Sequence, residues 1–454
     1  MLKHKKNLDI IALSTVCKSW HQYITSSKIL FRDIAFDISC EESIATAGVF
    51  LKALEGTQIP VNVYAHLGEN TSDPMIMKLL TRLRPHIEHM VRFNYRGNMN
   101  AYRSYFDIPA PNLLYFSDCF DTYPGRGPPL FCGQTPRLRA LTTVSQNDKI
   151  VWTASALSDL TVLDLAPSRL GLVLPLRSLL ELLQGSPRLE ILKFPCFGLS
   201  IGCDEHLQDV LLSHLHTLNL DHSEFHTIVK YLRMPSVRKI SFLGYSYAPG
   251  DAGAISPTFE APHLFAGLPL FPVFGHPVKG VYVETTLEGE DKVFKLRLTA
   301  DGGFVLDVQM GWILDTVILF DDYVTRSIVE LMKIMTLGPR AHVELHHTHM
   351  VPSDTPIYQQ FLQVDNIDRL TIRGRIAMDV LSDLTVRPTS PRLLPRLRLL
   401  EIVDQLSLSG EGRMILLSCL QSRTIGDIPF SIRLMDAYLA RADFSKFGYI
   451  VERG

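Results

Sequence analysis

The chain has 454 residues, 46% of them hydrophobic and 20% charged, with a formal net charge of −2. That length is past the size at which a single core usually divides, so two or three structural units are expected. A near-neutral balance argues against nucleic acid as the main partner, because phosphate binding needs a basic excess or stripe. No run of about 18 uninterrupted apolar residues occurs, so no membrane span is expected, and Met1–Leu8 is too polar for the apolar core of a secretory signal. Seven cysteines are dispersed without a C-x-x-C pair, the pattern of reduced, packed thiols. By elimination the expected location is the cytoplasm or nucleus.

The first 38 residues read as a helical segment. Ile10, Leu13, Val16, Trp20 and Ile24 fall near helical spacing and make one apolar face. After Ser26-Ser27, Leu30-Phe31-Arg32-Asp33-Ile34 resumes as a short apolar element. Residues 39–246 read as a first arm, in which short strands alternate with amphipathic helices. The clearest strands have the form L-x-x-L-x-L and begin at Leu160, Leu189, Leu215 and Val237, at intervals of 29, 26 and 22 residues. Poorer examples begin at Ile87, Leu113 and Leu138. In a short strand alternate side chains face one way, so the last two leucines of a unit point inward together. One unit cannot bury that face alone, and stacked units can. Helical stretches at 73–83, 176–183 and 328–335 carry apolar side chains on one side. The spacing lies in or near the range of about 20–29 residues seen in leucine-rich repeats. The expected fold class is therefore α/β, an irregular leucine-rich solenoid with strand plus helix per unit.

Residues 247–311 depart from the period. Tyr247–Pro277 is rich in proline and glycine and reads as a loop. Strands follow at Val281–Thr286, Val293–Leu298 and Phe304–Val308, with Glu288–Asp291 and Asp301–Gly303 as turns, giving an antiparallel meander. It is expected to divide the solenoid. Residues 312–454 form the second arm, with strands beginning at Ile367 and Leu397, 30 residues apart.

The sharpest candidate for chemistry is His342-Val343-Glu344-Leu345-His346. On a strand, His342, Glu344 and His346 share a face, and two imidazoles and a carboxylate can hold a divalent metal. Ligands at i, i+2 and i+4 are strung along a line, whereas chelation needs convergence, so a polar outer strand face is the favoured reading. Asp321-Asp322 reads as a strand-ending turn. Gly410-Glu411-Gly412-Arg413 lacks the lysine and spacing of a phosphate loop and reads as a turn or helix start. No catalytic residue, metal or cofactor is assigned.

The stretch Leu8–Trp20, with Val16-Cys17-Lys18-Ser19-Trp20 at its end and Leu30-Phe31 beyond, resembles the second half of an F-box. The family's opening Leu-Pro helix has no counterpart in Met1–Lys6. With the repeats and the meander behind it, the layout resembles F-box proteins of mushroom-forming fungi. The resemblance implies a substrate receptor of a cullin-RING ubiquitin ligase. Leu8, Ile11, Leu13, Val16 and Trp20 would form part of the interface with a Skp-type linker and its core, and the solenoid would hold an unidentified target protein. A ligase-independent leucine-rich scaffold is the alternative, and a metal-dependent enzyme at His342, Glu344 and His346 a distant third.

Overall fold

The leucine-spaced segments become strands because their inward residues have somewhere to go. In the computed structural model, Leu160, Leu163, Leu189, Leu192, Leu215, Leu218, Ile240, Ile367, Leu370, Leu397 and Leu400 are all fully buried. Each such leucine contributes about 1.5–3 kcal/mol relative to an exposed one. The poorer starts behave the same way, with Ile87, Leu113 and Leu138 buried as well. The structure describes residues 9–10, 12–13, 15–37, 40–67, 74–97, 104–119, 130–143, 157–165, 173–194, 198–200, 207–221, 228–246, 277–288, 291–313, 328, 331, 335–347, 357–374, 376–385, 393–403, 410–423, 430–434 and 451–453. The chain forms two units, Met1–Asn219 with Tyr231–Ser236, and Leu220–Lys230 with Val237–Gly454. Each is mixed α/β, with a mostly parallel sheet and few helices.

In the first unit the strands are β1 (Asp33–Asp37), β2 (Val61–Leu67), β3 (Met90–Gly97), β4 (Tyr115–Cys119), β5 (Ala140–Thr143), β6 (Val162–Leu165) and β7 (Ile191–Phe194), and β8 (Thr217–Asp221) begins in it and ends in the second. β1 to β7 pair in chain order, all parallel. Successive units are stitched by a repeated bond. The Arg139 carbonyl accepts from the amides of Thr161 and Val162, that of Thr161 from Glu190 and Ile191, and that of Glu190 from His216 and Thr217. A tight turn precedes each strand, with Leu138, Leu160, Leu189 and Leu215 each donating to the carbonyl three residues back. This is how the first leucine of the pattern closes onto the core.

The expectation of one helix per unit holds only in places. Among the described residues, α1 (Lys18–Ser26), α2 (Glu41–Leu54), α3 (Pro74–Leu83) and α4 (Leu176–Gln184) lie in the first unit. Other returns use short 3-10 turns such as Leu130–Gly133 or short secondary ladders, Val173–Pro175 with Gly198–Ser200 and Val210–Leu211 with Leu232–Arg233. The core near β3 and β4 is aromatic rather than leucine-rich. Phe93 lies 4.8 Å from Phe106 and 5.7 Å from Phe131, ring centre to ring centre.

The N-terminal segment corrects the sequence reading. The expected continuous helix from Ile10 to Ile24 is broken at Thr15–Cys17, and α1 starts after an extended Cys17. The apolar face does not make a small core. Ile24 is buried, as is Phe31, which packs edge-on against Phe50 of α2 at 5.0 Å. Leu13, Val16, Trp20, Tyr23 and Ile29 are exposed. Leu13 and Val16 lie before the start of α1, so helical spacing does not carry them onto the face that Ile24 buries. Leu8 and Ile11 fall outside the described residues, as do Asp321 and Asp322.

The second unit contains β9 (Lys239–Ser246), β10 (Val278–Glu288), β11 (Asp291–Ala300), β12 (Val305–Ile313), β13 (Leu337–His347), β14 (Ile367–Gly374), β15 (Leu399–Val403), β16 (Ser431–Leu434) and β17 (Val451–Arg453). β10, β11 and β12 are the antiparallel meander. The Gly302 and Gly303 turn between β11 and β12 takes φ of 78° and 79°, which glycine adopts without steric cost. The meander is hydrogen-bonded into the sheet on both sides. β12 runs parallel to β9, and β10 runs parallel to β13. From β13 to β17 all pairs are parallel and in chain order. The helices α5 (Ile357–Leu362), α6 (Ala377–Leu384) and α7 (Gly410–Arg423) serve this unit. Gly410–Arg413 is thus the start of a helix, one of the two readings open from the sequence. The fully buried Arg423 donates to the Leu384, Leu393 and Leu394 carbonyls, so its charge serves the end of α6 and the turn before β15.

Candidate functional site: the polar face of the second sheet

Alternation decides which side chains leave the core. In β13, Val343 and Leu345 are buried, while His342, Glu344 and His346 point to the opposite face, as their spacing predicts. Register then brings distant residues together. Tyr282, Glu344, Thr371, Glu401 and Arg433 lie in one row across β10, β13, β14, β15 and β16. Arg297 and Asp307 extend that row through the meander. Glu284, His346 and Arg373 form the row above, and Gly280, His342 and Arg369 the row below. Gly280 is required there, because a Cβ would come within 2.6 Å of the Thr299 hydroxyl.

Glu401 is the centre. Its side chain is only 6% exposed. It accepts from Arg369 Nε at 2.9 Å, from Arg369 Nη2, from the Thr371 hydroxyl at 3.0 Å and from Arg433 Nη1 at 2.6 Å. Burial pushes its carboxyl up. The bonds from Arg369, Thr371 and Arg433 together outweigh burial and hold it below the ordinary value. A buried carboxylate is tolerated only with such pairing.

The network also fixes a tautomer. The single hydroxyl proton of Thr371 goes to Glu401, so Thr371 accepts from His342 Nε2–H at 2.8 Å. His342 is therefore held with its proton on Nε2. Burial, and then the nearby Arg369 charge, push its pKa down, so it is neutral at pH 7. Two rows away, Glu284 accepts from the Tyr282 hydroxyl at 2.9 Å and lies 3.6 Å from Lys295 Nζ and 3.3 Å from His346 Nδ1. Burial and the Glu284 bond hold the Tyr282 phenol well above its ordinary range. Glu344 pairs with Arg373 at 3.0 Å, and Arg297 with Asp307 at 2.9 Å.

His342, Glu344 and His346 thus turn to three different partners, Thr371, Arg373 and Glu284. They do not converge, and no group of three or more metal-ligating side chains does so among the described residues. What the face presents is a set of fixed charges and hydrogen-bonding groups on a rigid sheet, suited to non-covalent recognition.

The first unit carries a looser version. Asn62 donates to Asp33 at 2.7 Å, His66 meets Asp37 at 2.8 Å, Lys193 meets Asp164 at 3.0 Å, and Arg92 covers the Tyr115 ring at 4.6 Å. Of the N-terminal residues singled out by sequence, Leu13, Val16 and Trp20 form exposed apolar surface, with Val16 67% and Trp20 48% exposed. Sequence reasoning missed Glu401, Arg369 and Arg433. Each sits at an ordinary outward position, and only register across about 30 residues reveals the cluster. The chain matches no family model, no curated protein and no solved structure.

Proposed function

We propose that the chain is a non-catalytic substrate receptor of a cullin-RING ubiquitin ligase, its strand-and-return units being irregular leucine-rich repeats. The N-terminal segment docks on a Skp-type linker, and the polar strand faces hold the target protein. The observation that carries this reading is the exposure of Leu13, Val16 and Trp20. Val16 and Trp20 are the apolar ends of the Val-Cys-x-x-Trp segment and Leu13 precedes it, and all three face solvent while Ile24 is buried and Phe31 packs on Phe50 of α2. Grouped exposed apolar side chains mark interaction sites. The repeated parallel strands, with inward leucines and outward polar residues, support the target-holding part. Function follows from positioning: a held target meets the ubiquitin-loaded enzyme at high effective concentration.

The test is co-expression with a Skp-type linker and affinity recovery. The full chain recovers the linker, and Val16→Asp or Trp20→Ala reduces recovery at least tenfold without changing the circular dichroism spectrum. Recovery that is absent from the full chain, or equal in both variants, defeats the proposal. The ligase-independent scaffold is then the better reading, since it needs the strand faces alone.

A further inference from the structure

We propose that the polar face of the second sheet holds an extended, carboxylate-rich segment of the bound protein. This deepens the target-holding part of the function proposed above and rests on it. The argument is the vertical order of the charges. In each ion pair of this face the carboxylate is the deeper partner. Glu401 is 6% exposed, while Arg369 and Arg433 above it are 43% and 30% exposed. Glu344 is 24% exposed under Arg373 at 44%, and Asp307 is 32% exposed under Arg297 at 58%. Glu284 likewise lies deeper than Lys295.

The acceptors are therefore used up from within. Both Glu401 oxygens and both Glu284 oxygens already have partners on the sheet. The donors are not used up. A guanidinium carries five N–H groups in a fixed fork. Arg373 commits its Nε to Glu344, and Arg369 commits Nε and Nη2 to Glu401. The side chains of Arg297, Arg369 and Arg373 are 58%, 43% and 44% exposed, so donors on them remain within reach of solvent. A ligand approaching from solvent meets cationic donors first, and a carboxylate answers both their charge and their fork geometry. Arg297 sits on β11 and both Arg369 and Arg373 on β14, three strands away, on either side of the row that contains Arg297, so an extended segment crossing the strands can run from Arg297 to one of the two β14 arginines.

The test uses the full chain and a fluorescent twelve-residue Glu/Asp-rich peptide, with a Lys-rich peptide and a neutral Ser/Gly peptide as controls. Fluorescence polarisation is expected to show binding of the acidic peptide alone, weakening at least tenfold between about 50 and 300 mM salt, as screening requires. Arg373→Gln and Arg297→Gln each weaken it at least threefold, and Arg188→Gln in the first unit leaves it unchanged. Should a variant fail to fold, a photo-crosslinking form of the acidic peptide on the unmodified chain replaces it, with adducts expected on residues 282–307 and 342–373. No acidic-peptide binding, equal binding of the three peptides, or adducts confined to the first unit overturns the proposal. Linker recovery through Trp20 is read separately, so failure of one claim is told apart from failure of the other.

Discussion

The strands of the two units use the same inward pattern of large apolar residues but treat their outward faces differently. In the first unit the outward polar side chains form separate, part-exposed pairs such as Asp164 with Lys193 and Asp37 with His66. In the second they form one coupled array in which Arg369, Thr371, Arg433 and, through Thr371, His342 depend on Glu401. The difference comes from depth. A pair at the surface can fall back on water, so its loss is cheap. A carboxylate as deep as Glu401 cannot, so its partners are fixed by necessity and the strands carrying them are tied together.

The sharpest way to break this comparison is Glu401→Ala. It removes the anion shared by Arg369 and Arg433, whose side chains are 43% and 30% exposed and so keep access to water, and should cost about 1.5–3 kcal/mol, the range for hydrogen bonds to a charged group. Urea denaturation of the purified chain measures it, and a loss below about 1 kcal/mol means the network is not coupled. Next in size is non-additivity. Arg369→Ala and Arg433→Ala share one partner, so the double variant should depart from the sum of the singles by about 0.5–3 kcal/mol. Asn62→Ala with Lys193→Ala, which share none, should add within about 0.5 kcal/mol.

The third consequence is a pH dependence. Burial holds the pKa of His342 below its ordinary 6.5, and burial together with the neighbouring His89 does the same for His86 in the first unit. The unfolded chain therefore binds protons that the folded chain does not as pH falls through 6.5. Stability rises with pH wherever the unfolded state binds more protons, so the contribution is present above 6.5 and is lost as pH falls towards the depressed folded values. Thermal melts between pH 5 and 7.5 should show this slope, shallower in His342→Gln and shallower again with His86→Gln. A slope unchanged in both variants rules the assignment out. The smallest effect is expected at Asp164→Ala, about 0–1 kcal/mol, the value of an exposed pair.

The apolar skeleton was legible because it is local. Leu160-Thr161-Val162-Leu163-Asp164-Leu165 announces a strand within six residues, and the Asp301-Gly302-Gly303 turn announces a reversal within three. α2 was not legible, because its packed face includes Ser43, Thr46 and Ala47 and so lacks a clean apolar stripe. β1 was obscured in the same way by its aspartate ends. The side on which His342, Glu344 and His346 lie follows from alternation alone. Their partners do not, since Thr371, Arg373 and Glu284 are supplied by other strands at a register set by tertiary pairing. At the N-terminus periodicity misled: helical spacing implied a buried stripe, whereas the break at Thr15–Cys17 takes Leu13 and Val16 off the register of α1, and of Leu13, Val16, Trp20 and Ile24 only Ile24 is buried.

The meander carries a consequence for how the second unit assembles. Stacked repeats ordinarily add one neighbour at a time along the chain. Here β9 finds its partner in β12, Lys239 opposite Val305, and β10 finds β13, Val281 opposite Val343. Each pairing closes a loop of about sixty residues, a slow step that local structure must first make worthwhile. The two hairpin turns of β10, β11 and β12 close over only a few residues, so the meander is the piece able to form on its own. Once formed it presents two free edges, and both flanks of the unit must wait for it before they can dock.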